Sequence, residues 1–313
     1  MDNFANRLIE EIDRKKNPSI IGLDSDFTKL PGTLREKFSS RGDPLDAAAS
    51  CMTEFNKAVI DAVHDIVPAV KIQSAFYEQY GPPGTRAFMD TAAYAREKGL
   101  IVVGDLKRND IGNTSAAYSS AYIGKTQLFT KSESVFGLDA MTVTPYMGSD
   151  GIKPFVDDCK RSGRGIFVLV KTSNPSSSEI QDLRCGDGKV YERVAELVHK
   201  WGLEARNKLD DYSAVGAVVG ATYPEDAAKL RKIMPHAIFL VPGYGTQGGS
   251  AGEVVPCFND SGYGAIVHSA RGVIFAYQKD GNEKGYADEA RKAALSMKKD
   301  IAGALDKAGI SPW

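Results

Sequence analysis

A (β/α)₈ barrel is the fold class the sequence predicts, on three observations. Eight short apolar, β-branched runs recur along the 313 residues, and amphipathic helical stretches separate them. That alternation signals a parallel sheet, and eight units are enough to close it into a barrel. The segment after the first run, Ile21-Gly22-Leu23-Asp24-Ser25-Asp26, lacks the G-x-G-x-x-G turn of a dinucleotide-binding sheet, so a six-stranded doubly wound sheet ranks second.

The elements follow in order. Strands are expected at Ser19–Leu23, Ala69–Ile72, Leu100–Gly104, Ala140–Thr144, Ile166–Val170, Ala214–Val219, Ala237–Val241 and Ala265–His268. Each is an apolar run of the kind that is buried on both faces in a parallel sheet. Helices are expected among the intervening stretches, at Asp46–Val63, Thr85–Lys98, Ile152–Ser162, Val190–Asn207 and Pro224–Ile233. The polar, Gly- and Pro-marked segments Asp26–Pro44, Tyr77–Gly84 and Asn174–Gly188 are expected as loops or small insertions. No long Pro, Ser or Gly linker divides the chain, and residues 1–313 are expected to form one barrel domain.

Composition narrows the partners. Lys and Arg total 39 against 40 Asp and Glu, with no basic stripe or polybasic run, which argues against nucleic acid or an anionic membrane. The short groups Arg14-Lys15-Lys16 and Lys298-Lys299 are expected as solvated helix faces. Cys51, Cys159, Cys185 and Cys257 form no C-x-x-C pair, and the four histidines show no metal-binding spacing. Neither a zinc site nor a disulfide framework is expected. The N-terminus has no apolar signal core, and no run of 18 apolar residues occurs, so a soluble cytoplasmic protein is expected.

The chemistry is concentrated where strands are expected to stop, which in a barrel is where active sites are built. Gly104-Asp105-Leu106-Lys107-Arg108-Asn109-Asp110-Ile111-Gly112 follows the third run. Strand alternation puts Asp105 and Lys107 on one side, and Asp110 follows in the turn. Two carboxylates around one ammonium at a buried strand end must neutralise each other or do chemistry. Lys71 interrupts the second apolar run, and pairing with Asp105 on the next strand satisfies its charge. Asp24 ends the first strand, and Thr172-Ser173-Asn174 ends the fifth. After the seventh comes Pro242-Gly243-Tyr244-Gly245-Thr246-Gln247-Gly248-Gly249, an anion-cradling type of loop. Ser269-Ala270-Arg271 ends the eighth, where Arg271 brings a forked donor pair toward phosphate.

Together these motifs resemble the orotidine 5′-phosphate decarboxylases, in the longer form found in bacteria and protists. The match runs over nearly the whole chain and includes Gly22-Leu23-Asp24, Val70-Lys71, the Gly104–Thr114 stretch, Thr172-Ser173-Asn174-Pro175, Val219-Gly220-Ala221-Thr222-Tyr223-Pro224, the Pro242–Gly249 loop and Ser269-Ala270-Arg271. D-x-K-x-x-D-I alone is shared with other decarboxylases and aldolases of the suprafamily; V-G-A-T-Y-P and G-x-Q-G-G in order are more specific. The resemblance implies decarboxylation of orotidine 5′-phosphate to uridine 5′-phosphate, the last step of de novo UMP synthesis, without cofactor or metal, on a homodimer with shared sites. It implies an alternating charge tetrad of Lys71, Asp105, Lys107 and Asp110, with Lys107 stabilising the reaction centre and donating the proton to C6. Asp110 and Thr114 would reach the partner subunit's site. Asp24 would hold the ribose and Ser173 the pyrimidine edge, while Gln247, Arg271 and the backbone near Ala270 would hold phosphate. Compact forms carry a tyrosine soon after the phosphate arginine; here Gly272-Val273-Ile274 follows, leaving Tyr244 and Tyr263 as candidates. The alternatives are a Mg²⁺-dependent sugar-phosphate decarboxylase or aldolase of the same suprafamily and a non-catalytic nucleotide sensor. Lys71 opposes the former, because it puts a cation where a metal would sit, and a carboxylate beside an anionic ligand opposes the latter.

Overall fold

Eight parallel strands close into a barrel in which strands consecutive in the chain lie side by side and the last meets the first. The computed structural model describes residues 3–207, 211–245 and 248–313. The strands are β1 (Ser19–Gly22), β2 (Ala69–Gln73), β3 (Ile101–Arg108), β4 (Ala140–Val143), β5 (Gly165–Lys171), β6 (Ser213–Val219), β7 (Ala237–Val241) and β8 (Ala265–Ser269), with β8 pairing back onto β1. Seven of the eight match the expected bounds to within one residue at each end. The exception is β3, which runs on through the charged stretch to Arg108.

Alternation along the strands sorts the core into two shells. Ile20, Ala69, Ile101, Val103, Ala140, Phe167, Val218, Ile238, Leu240 and Ile266 fill the interior together with Phe4, Leu8 and Ile12. Ile21, Val70, Val102, Met141, Val168, Val219, Val241 and Val267 belong to the shell beneath the outer helices. The three N-terminal residues lie on α1 (Phe4–Lys15), whose Asn3 cap accepts from the Ala5 amide at 2.9 Å. Phe4 meets Phe167 edge-on at 5.7 Å, and Asn3 bonds the Tyr212 carbonyl, so α1 plugs the end of the barrel where strands begin. The opposite end stays open.

Two expectations need correction. Lys15 is not solvated: it is buried, with Nζ donating to the His64 and Val67 carbonyls at 2.7 and 2.6 Å. Tyr77–Gly84 is helical rather than a loop, covering the second half of a helix at Ala75–Glu78 and the start of another at Gly81–Glu97. Pro82 and Pro83 stand in that helix's first turn, where missing amide hydrogens are no loss. Asp26–Pro44 and Asn174–Gly188 are small insertions as expected, carrying a helix at Gly32–Phe38 and a hairpin pairing Arg184–Cys185 with Gly188–Lys189. Among the described residues, no helix is long and apolar enough to cross a membrane.

Candidate active site

The open end of the barrel holds a cavity of about 530 Å³ whose two halves differ in chemistry. Asp24, Lys71, Gln73, Asp105, Lys107 and Thr142, from the β1–β4 side, make a charged wall. Leu169, Val218 and Leu240, from β5, β6 and β7, make an apolar one. Thr172, Ser173 and Asn174 stand at the rim after β5, and Pro242, Gly243 and Tyr244 after β7. His268, Ser269, Ala270 and Arg271 complete the ring.

The charged wall follows from parallel register. Gly22 pairs with Lys71, and Gln73 pairs with Asp105, so the ends of β1, β2 and β3 come level. Lys71 Nζ donates to Asp105 Oδ2 at 2.6 Å and lies 3.6 Å from Asp24 Oδ1. Lys107 Nζ donates to the other oxygen, Asp105 Oδ1, at 2.5 Å, and Gln73 Nε2 donates to Oδ2 at 3.0 Å. One carboxylate thus lies between two ammonium groups. The Lys71 side chain is 4 % exposed, whereas that of Lys107 is 46 % exposed, so Lys71 is the anchored cation and Lys107 the presented one.

Burial pushes the Asp105 carboxyl up, but Lys71 and Lys107 outweigh it and hold its pKa well below the usual carboxylate range. Burial pulls Lys71 down, and Asp105 and Asp24 more than restore it, so its pKa lies above the usual lysine value. Both groups therefore stay ionised through neutral pH. His268 goes the other way: desolvation first, then the nearby Lys71, holds its pKa well below the usual value. Its Nε2 is shut from solvent without a hydrogen-bond partner. A Cβ on Gly22 would lie 2.4 Å from that nitrogen and 3.1 Å from Asp24 Oδ1, so this strand end admits no larger residue.

The structure brings Asp24, Lys71, Asp105, Lys107, Ser173, Ala270 and Arg271 to one cavity. Gln247 lies outside the described residues. Asp110 and Thr114 do not border the cavity. Asp110 lies in the loop after β3, with Oδ1 accepting from the Ile111 amide at 2.8 Å, and Thr114 is exposed in the first turn of the helix Gly112–Tyr122. Gly243 and Gly245, with φ of +102° and +74°, give the loop after β7 a path that side-chain-bearing residues rarely follow. Tyr244 borders the cavity and donates to Asp300 Oδ2 at 2.6 Å. Tyr263 does not: it bonds Asp13 of α1, at the plugged end.

Sequence reasoning missed Gln73, Thr142, His268 and Gln181, all of which line the cavity. The first three follow the inward alternation Ala69-Lys71-Gln73, Ala140-Thr142 and Ile266-His268, a signal available in the sequence. Gln181 comes from far along the insertion and bonds Thr172 twice, through its amide at 3.0 Å and its hydroxyl at 2.8 Å. Lys171 follows Leu169 by two residues, yet it does not line the cavity. The β5–β6 pairing slips so that Val219 meets Lys171, whose Nζ bonds Asp182 at 2.6 Å and lies over the Tyr191 and Tyr223 rings. Among the described residues, no three His, Cys, Asp or Glu side chains are grouped to hold a metal ion.

Known proteins share this architecture and its sequence. The chain is 43 % identical over 308 residues to orotidine 5′-phosphate decarboxylase of Rhodopirellula baltica, covering 97 % of this chain and 100 % of that one. The corresponding protein of Caldicellulosiruptor saccharolyticus is 42 % identical over 306 residues, with 97 % and 100 % covered. A solved structure of Leishmania donovani OMP decarboxylase superposes with a TM-score of 0.73 at 29 % identity, covering 96 % of this chain and 98 % of that one. Residues 26–281 match the family model described as Orotidine 5′-phosphate decarboxylase / HUMPS family, and with relatives this similar along nearly their whole length the chain belongs to that family.

Proposed function

We propose that this chain, acting as one barrel domain in the cytoplasm, converts orotidine 5′-phosphate to uridine 5′-phosphate and CO₂, the last step of UMP synthesis. The observation that carries the reading is the Lys71–Asp105–Lys107 array facing an apolar wall. When the C6–carboxylate bond breaks, its electron pair stays on C6, and no conjugated carbonyl accepts it. An ammonium fixed beside that carbon stabilises the developing charge and then gives C6 its proton. Lys107 is the exposed ammonium of the array, and Asp105 keeps it charged and aimed. The apolar wall of Leu169, Val218 and Leu240 thins the water that would otherwise screen this charge. In this reading Asp24 holds the ribose hydroxyls and Ser173 the pyrimidine edge, while Arg271, the Ala270 backbone and Gln247 take the phosphate.

Asp110 and Thr114 belong to the site of a second copy in a homodimer. They do not border the active-site cavity of their own chain, and their surroundings are apolar and exposed: Ile111 is 52 %, Met147 51 % and Tyr146 82 % accessible. A Cβ on Gly151 would touch both the Asp110 carbonyl and Met147, so these loops form one surface. A two-fold axis at that surface carries each Asp110 toward the partner's Lys107 equally.

Arg271→Ala is expected to weaken uridine 5′-phosphate binding by at least about tenfold, because a charge-assisted and forked phosphate contact is lost. Uridine should be affected far less. Titration calorimetry with both ligands reads the difference, and equal losses would make Arg271 structural.

A Mg²⁺-dependent sugar-phosphate decarboxylase would need carboxylates gathered around a cation, where here the Lys71 ammonium lies between Asp24 and Asp105. The test is CO₂ release by purified protein with chelator present. Orotidine 5′-phosphate should be decarboxylated at an undiminished rate, and 3-keto-L-gulonate 6-phosphate should release nothing even with Mg²⁺ added. Release from the nucleotide that requires Mg²⁺, or none at all, would overturn the reading.

A further inference from the structure

The end of β3 does not continue its ladder with β4 in the ordinary way. Gly104 pairs with Met141 and Arg108 pairs with Val143, so three residues of β3 stand opposite Thr142 alone. Within that bulge Lys107 has a φ of +48°, in the left-handed region that a lysine seldom occupies. Such a backbone persists only where its surroundings over-determine it.

Here one hydroxyl takes both freed amides, while the Thr144 hydroxyl reaches only the Lys107 carbonyl, at 3.3 Å. The amides of Leu106 and Lys107, both taken out of the ladder by the bulge, donate to Thr142 Oγ1 at 3.0 Å each. The same hydroxyl donates to Asp105 Oδ1 at 2.9 Å, the oxygen that receives Lys107 Nζ. A hydroxyl has one hydrogen and two lone pairs, so all of its capacity is used. Asp105 is consequently held on both oxygens, by Lys71 and Gln73 on Oδ2 and by Thr142 and Lys107 on Oδ1. Thr142 is 1 % exposed, so water does not substitute for it.

We infer that Thr142 is a positioning residue for Lys107: its single hydroxyl fixes both the strained backbone that carries the lysine and the carboxylate that aims its ammonium. The inference rests on the reading in which Lys107 meets C6. A displacement of about 1 Å at a reacting group is enough to slow chemistry about a hundredfold. Nucleotide affinity, set by phosphate and ribose contacts elsewhere in the cavity, should hardly move.

Thr142→Val keeps the side-chain shape and removes the hydroxyl; Thr142→Ser keeps the hydroxyl and removes a methyl group. Thr142→Val should lower kcat on orotidine 5′-phosphate about a hundredfold, with the Kd for uridine 5′-phosphate changed less than about threefold. Thr142→Ser should retain kcat within about threefold of wild type. A residue that only fills space would rank the two variants the other way. The inference is overturned if Thr142→Val keeps a third or more of the wild-type kcat, if Thr142→Ser is as slow as Thr142→Val, or if the loss falls on nucleotide affinity. Should Thr142→Val not fold, Thr142→Ala replaces it: serine near wild type with alanine slow supports the inference, and equal rates for the two overturn it. Wild type and Lys107→Ala are run alongside. An active wild type, a dead Lys107→Ala and an unimpaired Thr142→Val would sink the role of Thr142 alone, whereas an inactive wild type would sink the decarboxylase reading.

Discussion

Lys107→Ala is expected to lower kcat on orotidine 5′-phosphate by at least about a thousandfold, roughly 4 kcal/mol of transition-state stabilisation. On the proposed reading, two contributions disappear with one ammonium. The first is electrostatic: Lys107 Nζ is the cation of the array that solvent reaches, and the charge on C6 develops only as the carboxylate departs. The second is proton delivery, itself worth about a hundredfold or more. Uridine 5′-phosphate carries no charge at C6, so its binding should survive the change. The pattern to be measured is therefore a collapse of kcat beside a nearly unchanged Kd for the product, which marks an interaction made in the transition state. Retention of more than about a tenth of the wild-type kcat, a loss under about 1.4 kcal/mol, would show that Lys107 is not the proton donor.

The barrel and the heart of the site were legible in the sequence for physical reasons. Val- and Ile-rich runs such as Ile101–Val103 admit little but a buried strand, and their regular spacing left few topologies. Lys71 was recognisable because a lysine inside an apolar run must find a counter-charge, and Asp105 stands 2.6 Å away. What escaped depends on contacts distant in sequence. No local pattern announces that three residues of β3 face Thr142, or that a slip between β5 and β6 sends Lys171 to Asp182, because pairing register is set by the whole sheet. Lys15 was taken for a solvated residue since its acceptors, the carbonyls of His64 and Val67, follow some fifty residues later. Gln73 and His268 carry no charge that demands a partner, so only strand alternation points to them. Pro82 and Pro83 mark Tyr77–Gly84 as a loop in the sequence, yet they stand at the beginning of a helix, where proline is tolerated.

The proposed array of four charges divided between two chains is tested most directly by mixing two dead variants. On that proposal Lys107→Ala and Asp110→Ala homodimers should each be nearly inactive, because every site in the first would lack its ammonium and every site in the second the partner's carboxylate. After subunit exchange, a heterodimer collects both lesions in one site and neither in the other. Random exchange makes about half of the dimers mixed, each with one intact site of two, so decarboxylation should recover to roughly a quarter of the wild-type rate. Gel filtration should find dimers throughout, and an affinity tag on one variant verifies that exchange has taken place. Recovery near a quarter is the expected result. A verified mixture that remains as inactive as its two parents would contradict the shared array, leaving Asp110 to serve the chain that carries it.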